Sequence, residues 1–227
     1  LKLSMDRQEI IDKIAFGAAT MGNDFHLAPV QPYFPKDIPQ REYDPDQAKF
    51  LLKKAGAEGL KISISSADSV FSGAVDMCVL YAEQAKKAGI KINVVREPND
   101  GYYSDVWLKK PFVFVKWGAR PTPDNMFTLA YSKDAAWNES HWQNDRFNEL
   151  LLMAKAELDE KKRAEMYHEM CMLARDDVRV AVEVSVTSSA GEVAETVGKC
   201  VASGFDHVVV IGNDEAALSR AECVALD

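Results

Sequence analysis

Residues 60–95 read LKISISSADSVFSGAVDMCVLYAEQAKKAGIKINVV, and this stretch decides the fold. At its two ends, residues 60–65 and 90–95, apolar residues alternate with polar ones in the way that is typical of strands. The apolar run between them, 70–89, has the length of a helix and ends at Gly89, as helices often do. A strand, a helix and a second strand in this order predict a crossover between parallel strands.

A second crossover follows directly along the chain. Residues 100–110 are predicted as a short helix, and FVFVKW, residues 112–117, as a third strand. We therefore expect an α/β fold with a mostly parallel or mixed sheet and flanking helices. Ligands of open α/β sheets bind beyond the carboxyl ends of the strands. The segment WGARPTPDNMF, residues 117–127, begins at such an end and is interpreted as a stiff loop that carries a candidate site.

Helices are also predicted on either side of this region. A helix over 4–16 precedes a proline- and glycine-rich stretch, 17–44, which we interpret as an ordered loop. Asp44 is an N-cap residue for a helix that ends near Gly56. Two consecutive helices are predicted over 144–176, the second of them capped by Asp159.

The pattern changes after Asp177. Residues 178–227 predict a strand, a helix, a strand and a helix, which would form a compact βαβα unit. We therefore place a domain boundary between 1–177 and 178–227. The sequence leaves open whether the second part completes the sheet of the first or stands apart from it.

Composition excludes several classes of protein. The 227 residues are 47% hydrophobic, which is enough for one large domain or two modest ones. A net charge of -8 argues against a nucleic-acid-binding surface. No apolar run approaches the roughly 20 residues that span a bilayer. The first residues contain no signal peptide and no initiator Met, so we expect a chain that was processed or cut from a longer one.

Neither a metal nor another cofactor is expected. Four histidines are scattered without the spacing of a metal site. We interpret the four cysteines as small buried hydrophobic residues rather than as disulfide partners or ligands: Cys78, Cys171, Cys200 and Cys223. The sequence contains no GxSxG, P-loop or CxxC motif that would indicate an enzyme.

Several segments together resemble one family, the extracytoplasmic solute-binding proteins of ABC importers for peptides, nickel and opine-like solutes. The resemblance lies in SMDRQEIIDKIAFGAA (4–19), YDPDQAKFLLKKAG (43–56), KWGARPTPDNMF (116–127) and the segment 136–170, which begins AWNESHW. It covers 1–177 and does not extend to 178–227.

This resemblance implies a protein with two lobes that close on a small solute such as a peptide, an opine or another carboxylate. It also implies a periplasmic location and an ABC permease as partner. The chain would then hold the second lobe, and most of the first lobe would be missing. One alternative is a chimeric or truncated structural protein that binds nothing.

A second alternative is a nucleotide-binding enzyme that uses the strand and loop at 206–215. HVVVIGND, within this range, is similar to the strand-to-loop segment of lipid kinases of the diacylglycerol type. Asn213 stands where those enzymes have a glycine that lets a phosphate approach, which weakens this alternative.

Arg120 is the candidate anchor for the solute. In peptide binders the resemblance implies an acidic residue just after the tryptophan, and at the nearest position this chain has Arg120. A guanidinium suits a carboxylate or phosphate, so we expect an anionic solute. The alternative is a loop arginine that pairs with Asp124. Trp117 would form an aromatic wall or belong to the core, and Gly118 would let the solute approach the backbone.

Three further residues complete the predicted site. Asn125 would bind the solute or stabilise a turn. Trp137 and Asn138 would line the cleft or pin their loop to the helices that follow. Tyr102 and Tyr103 lie near the same edge of the predicted sheet, and they are weaker candidates for contact with the solute.

Overall fold

A computed structural model describes residues 1–118 and 120–178. The βαβα unit predicted for 178–227 lies outside the described residues except for Val178, as do Cys200, Cys223 and the strand and loop at 206–215. None of the helices within the described ranges has the length and apolar character that a membrane crossing requires.

The described chain is an α/β structure with a small parallel sheet. Two strands, β1 (Lys61–Ser66) and β2 (Lys91–Arg96), pair in parallel, with Lys61 opposite Lys91. The helices are α1 (Arg7–Lys13), α2 (Pro45–Lys54), α3 (Ala74–Ala85), α4 (Pro123–Ala130), α5 (Asp145–Ala156) and α6 (Glu160–Asp177). The predicted crossover of 60–95 is therefore confirmed, with α3 as its helix.

The predicted third strand is wrong in its length. Within 112–117 only Val113 forms a β-bridge, in parallel with Ser65 of β1. Phe114 N–H donates to the Ser65 carbonyl at 2.8 Å, and β1 ends one residue later. Because β1 has no further backbone to offer, the apolar run beyond Phe114 leaves the sheet as irregular chain.

Two other predictions need correction. The helix expected over 100–110 is a single π-helical turn, Tyr102–Val106, which follows Gly101 at a φ of 75°. The loop expected over 117–127 is shorter than predicted, because α4 begins at Pro123. Proline suits the first position of a helix, since its missing N–H would have no partner there.

The predicted caps are confirmed by hydrogen bonds. The Asp44 carboxylate accepts from Gln47 N at 2.8 Å at the start of α2. Asp159 accepts from Lys161 N at 2.9 Å at the start of α6. Such side chains satisfy backbone N–H groups that have no partner within the helix. The first helix, by contrast, is shorter than the predicted 4–16: it begins at Arg7, and Asp6 caps it.

Two main cores divide the described chain. The helical core, formed by α4, α5, α6 and part of the 17–44 loop, buries aromatic side chains that include Phe25, Phe127, Tyr131, Phe147 and Tyr167. The sheet core lies under α3 and includes Met77, Tyr81, Ile10 and Ile90. Cys78 and Cys171 are both buried, as predicted.

A cluster of ions joins α1, the 17–44 loop and the end of α6. The Asp24 side chain is fully buried and accepts from Arg7 and, at 2.6 Å, from Arg41 Nε. Arg41 also donates to Asp176 at 2.9 Å. Lys2 Nζ donates to the Arg175 carbonyl at 2.8 Å. These contacts fix the helical core relative to the sheet core.

Candidate functional site

The candidate site lies where the chain passes from the sheet to the helical core. Tyr102 OH lies 2.9 Å from the Ser65 carbonyl and 2.7 Å from the Phe114 carbonyl, so it holds this edge of the sheet together. Trp117, which lies three residues after Phe114, packs against the helical core. The segment from Phe114 to Trp117 therefore bridges the two parts, beyond the carboxyl end of β1.

A row of aromatic rings surrounds Trp117. Ring centroids are 5.9 Å apart between Tyr103 and Trp107, and 6.0 Å apart between Trp107 and Trp137. Trp137 is 6.0 Å from Trp117, which in turn is 5.8 Å from His26. Tilted and edge-to-face contacts at these distances are favourable. Tyr103 and Trp137 keep 44% and 41% of their surface exposed, so the row is open to a ligand.

Glu139 lies within this row of rings. Its Oε1 accepts a hydrogen bond from Trp107 Nε1 and another, at 3.2 Å, from Trp117 Nε1. The two indoles come from separate segments, and the carboxylate fixes them relative to each other. Glu139 is half-buried, and its charge therefore acts on neighbouring groups with less screening than on an open surface.

Burial and this carboxylate change the acidity of nearby groups. Burial raises the pKa of the Tyr103 phenol, and the charge of Glu139 raises it further. Burial also lowers the pKa of the Lys116 ammonium, one residue before Trp117. Both shifts have the same main cause, since partial burial disfavours the charged form of each group.

Arg120 is folded back onto its own loop. Its Nη1 donates to the Gly118 carbonyl at 2.9 Å, and its carbonyl accepts from Gln31 Nε2 at 2.7 Å. A Cβ at position 118 would lie 3.3 Å from Arg120 Nη1, so the glycine leaves room for the guanidinium. Asp124, the predicted alternative partner, lies beside Tyr167, whose pKa burial and this carboxylate raise to about 12.

The two asparagines of the predicted site differ in their surroundings. Asn125 is exposed on the first turn of α4. Asn138 is 5% exposed and bonds its own loop: its amide donates to the Trp142 carbonyl at 2.7 Å and its oxygen accepts from Ser140 at 2.9 Å. In this structure Asn138 therefore holds the loop that carries Trp137 and Glu139.

The structure thus brings together Trp117, Gly118, Trp137 and Arg120, on one segment and its neighbouring loop. Sequence reasoning missed Glu139, Trp107 and His26. Glu139 belongs to the motif AWNESHW, but nothing in the sequence distinguishes it from the many exposed acidic residues. Trp107 lies in a segment predicted as helix, and its contact with Glu139 spans 32 positions.

The chain is similar in sequence to known peptide-binding proteins. It is 28% identical to di/tripeptide-binding protein 1 of Pseudomonas aeruginosa, over 79% of this chain and 35% of that protein. It is 25% identical to the dipeptide-binding protein of Escherichia coli, over 78% of this chain and 34% of the relative. The chain therefore spans about a third of the length of these relatives.

Solved structures share the fold. The periplasmic binding protein DppA of Helicobacter pylori, in complex with the peptide STSA, matches with a TM-score of 0.68 at 26% identity, over 81% of this chain and 37% of that one. NikA of Staphylococcus aureus, in complex with Ni(L-His)2, matches with a TM-score of 0.66 at 26% identity, over 77% of this chain and 38% of that one.

A family model gives the assignment. Residues 1–139 match the model of the bacterial extracellular solute-binding proteins, family 5 Middle. This range holds β1, β2, the segment that carries Trp117 and Arg120, and the loop residues up to Glu139. The chain belongs to the bacterial extracellular solute-binding proteins of family 5.

Proposed function

We propose that the chain is one part of a two-lobe solute-binding protein for ABC-type import, and that it binds an anionic solute at Arg120. The family membership supports solute binding, and the short span relative to the relatives supports a part of a larger binder. The solute would be a peptide, an opine or another carboxylate. No catalytic step is part of this proposal.

The position of Arg120 carries the proposal. Its segment leaves the sheet beyond the carboxyl end of β1, where α/β folds bind ligands. Two prolines and the bond from Gln31 hold its backbone, so little ordering is needed when a ligand binds. Its Nη1 donates to the Gly118 carbonyl, which is a neutral acceptor. A carboxylate is a stronger acceptor and would compete for the guanidinium.

The remaining predicted residues would act around this anchor. Trp117 and Trp137 would form the aromatic wall, and Asn125 would contact the solute from the exposed first turn of α4. Asn138 would act indirectly, since it holds the loop of Trp137.

Location, permease and domain boundary are also part of the proposal. The family is extracellular by description, and the Helicobacter pylori relative is periplasmic. We therefore expect the whole protein to work outside the cytoplasm with an ABC permease. The boundary between 1–177 and 178–227 follows the end of α6 at Asp177. Limited proteolysis that leaves no stable fragment ending near this residue would contradict the boundary.

A thermal-shift screen tests the binding proposal. The panel contains dipeptides, opines, sugar acids and sugar phosphates, and it is applied to the chain, to Arg120→Ala and to Arg96→Ala. The last variant is a matched control, since Arg96 is 70% exposed at the carboxyl end of β2 and pairs with Asp68, outside the segment of Arg120. A ligand at a hundredfold excess over Kd stabilises the fold by about 2.7 kcal/mol.

The expected result is a shift with anionic solutes that Arg96→Ala keeps and Arg120→Ala loses. A shift that persists in Arg120→Ala would contradict the role of this arginine. No shift with any solute, from a chain that unfolds cooperatively, would contradict solute binding by the chain.

A further inference from the structure

The outward face of α2 presents an exposed aromatic ring. Phe50 is 64% exposed, and Leu51 beside it is 44% exposed. Ala48 is buried and Leu52 packs against the sheet core, so these two residues mark the inner side of the helix. Phe50 lies two residues, or about 200° of helical rotation, from each of them. Its ring therefore points away from the sheet core.

Lysines lie around this ring. Lys53 and Lys54 follow Phe50 by three and four residues, which places them on the same side of the helix, and Lys49 precedes it directly. All three lysines are exposed, and none of them forms an ion pair with another residue that the structure describes. Asp46 is the one acidic residue of α2, so the helix carries an excess of positive charge.

Neighbouring segments extend this positive charge. α2 packs against the 3-10 turn Lys86–Ala88, in which Lys87 is exposed. Lys61 and Lys91 lie opposite each other at the amino ends of β1 and β2, and both are exposed. Glu58, between α2 and β1, offsets one of these charges. The amino end of the sheet and the helix before it are therefore basic.

This basic region contrasts with the chain as a whole, whose net charge is -8. Charges at an exposed surface are screened beyond about 8 Å at physiological salt, so acids on distant elements act weakly on a ligand at α2. Lysines near the carboxyl end of a helix stabilise it through the helix dipole. That effect does not account for a phenylalanine exposed between them, because apolar surface in water is unfavourable.

From this combination we propose that the outward face of α2 binds an anionic phospholipid membrane. The lysines would contact headgroup phosphates, and Phe50 would enter the boundary between headgroups and acyl chains. A membrane supplies negative charge and an apolar layer together, and it requires no pocket of matching shape. A free phosphate would contact the lysines but leave the ring in water.

Membrane contact at this face goes beyond the proposed solute binding. α2 leads into the amino end of β1, whereas the segment of Arg120 lies beyond its carboxyl end. The six residues of β1 span about 20 Å. A membrane bound at α2 would therefore leave the candidate solute site uncovered.

Vesicle flotation of the whole chain tests this proposal. The vesicles contain phosphatidylcholine alone, or phosphatidylcholine and phosphatidylglycerol in equal amounts, at low and at physiological ionic strength. One variant combines Lys53→Glu and Lys54→Glu, and its control makes the same change of charge on α6, with Lys161→Glu and Lys162→Glu. Phe50→Ser removes the ring, and Leu152→Ser is its control, since Leu152 is 71% exposed on α5.

The chain is expected to bind the anionic vesicles, more weakly as salt rises, and not the neutral ones. The double variant at 53 and 54 should weaken binding by more than about tenfold, and Phe50→Ser severalfold, with cooperative unfolding retained. Both controls should bind like the original chain. The proposal fails if the anionic vesicles are not bound, if neutral vesicles bind as well, or if the controls lose as much.

Two further measurements separate the membrane from other partners of the same chemistry. An excess of glycerol phosphate should not displace the chain from the vesicles, and displacement would make a free phosphate the ligand. Sedimentation velocity without vesicles should show no self-association that depends on Lys53 and Lys54. Such association would mean that a second copy covers this face. No solute enters these experiments, so their outcome is independent of the role of Arg120.

Discussion

Two carboxylates, those of Asp24 and Glu139, are at least partly buried, and they differ in the groups that surround them. Asp24 is fully buried, and two arginines neutralise it. Glu139 is half-buried, and its oxygen accepts from two neutral indoles. The charge of Asp24 is neutralised by the buried arginines, so this acid stabilises the fold. The Glu139 carboxylate is instead oriented by two indole donors within the row of aromatic rings, so the two acids differ in burial and in the donors that hold them.

The largest expected effect concerns the structural acid. Asp24→Asn should lower the free energy of unfolding by about 3–5 kcal/mol, because Arg7 would stay buried without its counter-charge. Asparagine is chosen because residue 24 has a φ of 63°, a conformation that Asn tolerates. Urea unfolding measures the change.

Asp176 gives the matched control for this variant. Its side chain is 50% exposed and it also pairs with Arg41. Asp176→Asn should therefore cost less than about 1 kcal/mol. An equal loss of unfolding free energy in both variants would show that the buried ion pairs of Asp24 stabilise the fold no more than the exposed one of Asp176.

The second prediction uses Tyr81, whose phenol lies close to the same ion cluster. Burial raises the pKa of Tyr81 from 10.0 to about 12. The unfolded chain therefore loses this proton at lower pH than the folded chain. Stability from this group is complete below pH 10 and is lost as the pH rises toward 12, by up to about 2–3 kcal/mol.

Urea unfolding over this alkaline range tests the titration of Tyr81. The variant Tyr81→Phe should lose correspondingly less stability between the two pH values, because it has no phenol to ionise. Parallel curves for the variant and the original chain would show that Tyr81 does not titrate in this way.

The third prediction concerns the loop that carries Glu139. Asn138→Ala should lower the free energy of unfolding by about 1–3 kcal/mol, because the buried partners of its amide would lose their bonds. Asn125→Ala, at an exposed position, should change it by less than about 0.5 kcal/mol. Denaturant unfolding of both variants measures the difference, and a larger loss in Asn125→Ala would reverse our assignment of their roles.

Among the variants other than the controls, the smallest effect on stability is expected at Glu139. Glu139→Gln keeps an oxygen that accepts from both indoles, so the free energy of unfolding should change by less than about 1 kcal/mol. Thermal and urea unfolding measure it. A loss as large as that of Asp24→Asn would make Glu139 a structural acid and remove the contrast between the two sites.

Local signals predicted much of the fold. The alternating runs at 60–65 and 90–95 gave both strands within one residue, and Asp44 and Asp159 gave the starts of two helices. These signals act over a few residues, so they can be read directly from the chain. The predicted third strand was too long. An apolar run indicates that residues are buried, whereas a strand also needs a neighbouring backbone to pair with, and β1 provides none after Ser66.

The site was only partly predictable for a related reason. Trp117, Arg120 and Trp137 were found through the motifs around them, and their role in binding is still a prediction. Glu139 and Trp107 were missed, since their contact joins positions 32 residues apart. Arg7 and Asp24 were missed as well, although they form the most buried ion pair among those described.

The sequence by itself determined the α/β class, the helix caps, the acidic balance and the family to which the chain belongs. These properties depend on composition, on short periodic patterns and on motifs that occur in order. Only the tertiary structure decided which acids are neutralised by arginines and which lie among aromatic rings. The energy of a charge depends on the groups within a few ångströms of it, and folding rather than sequence order sets those neighbours.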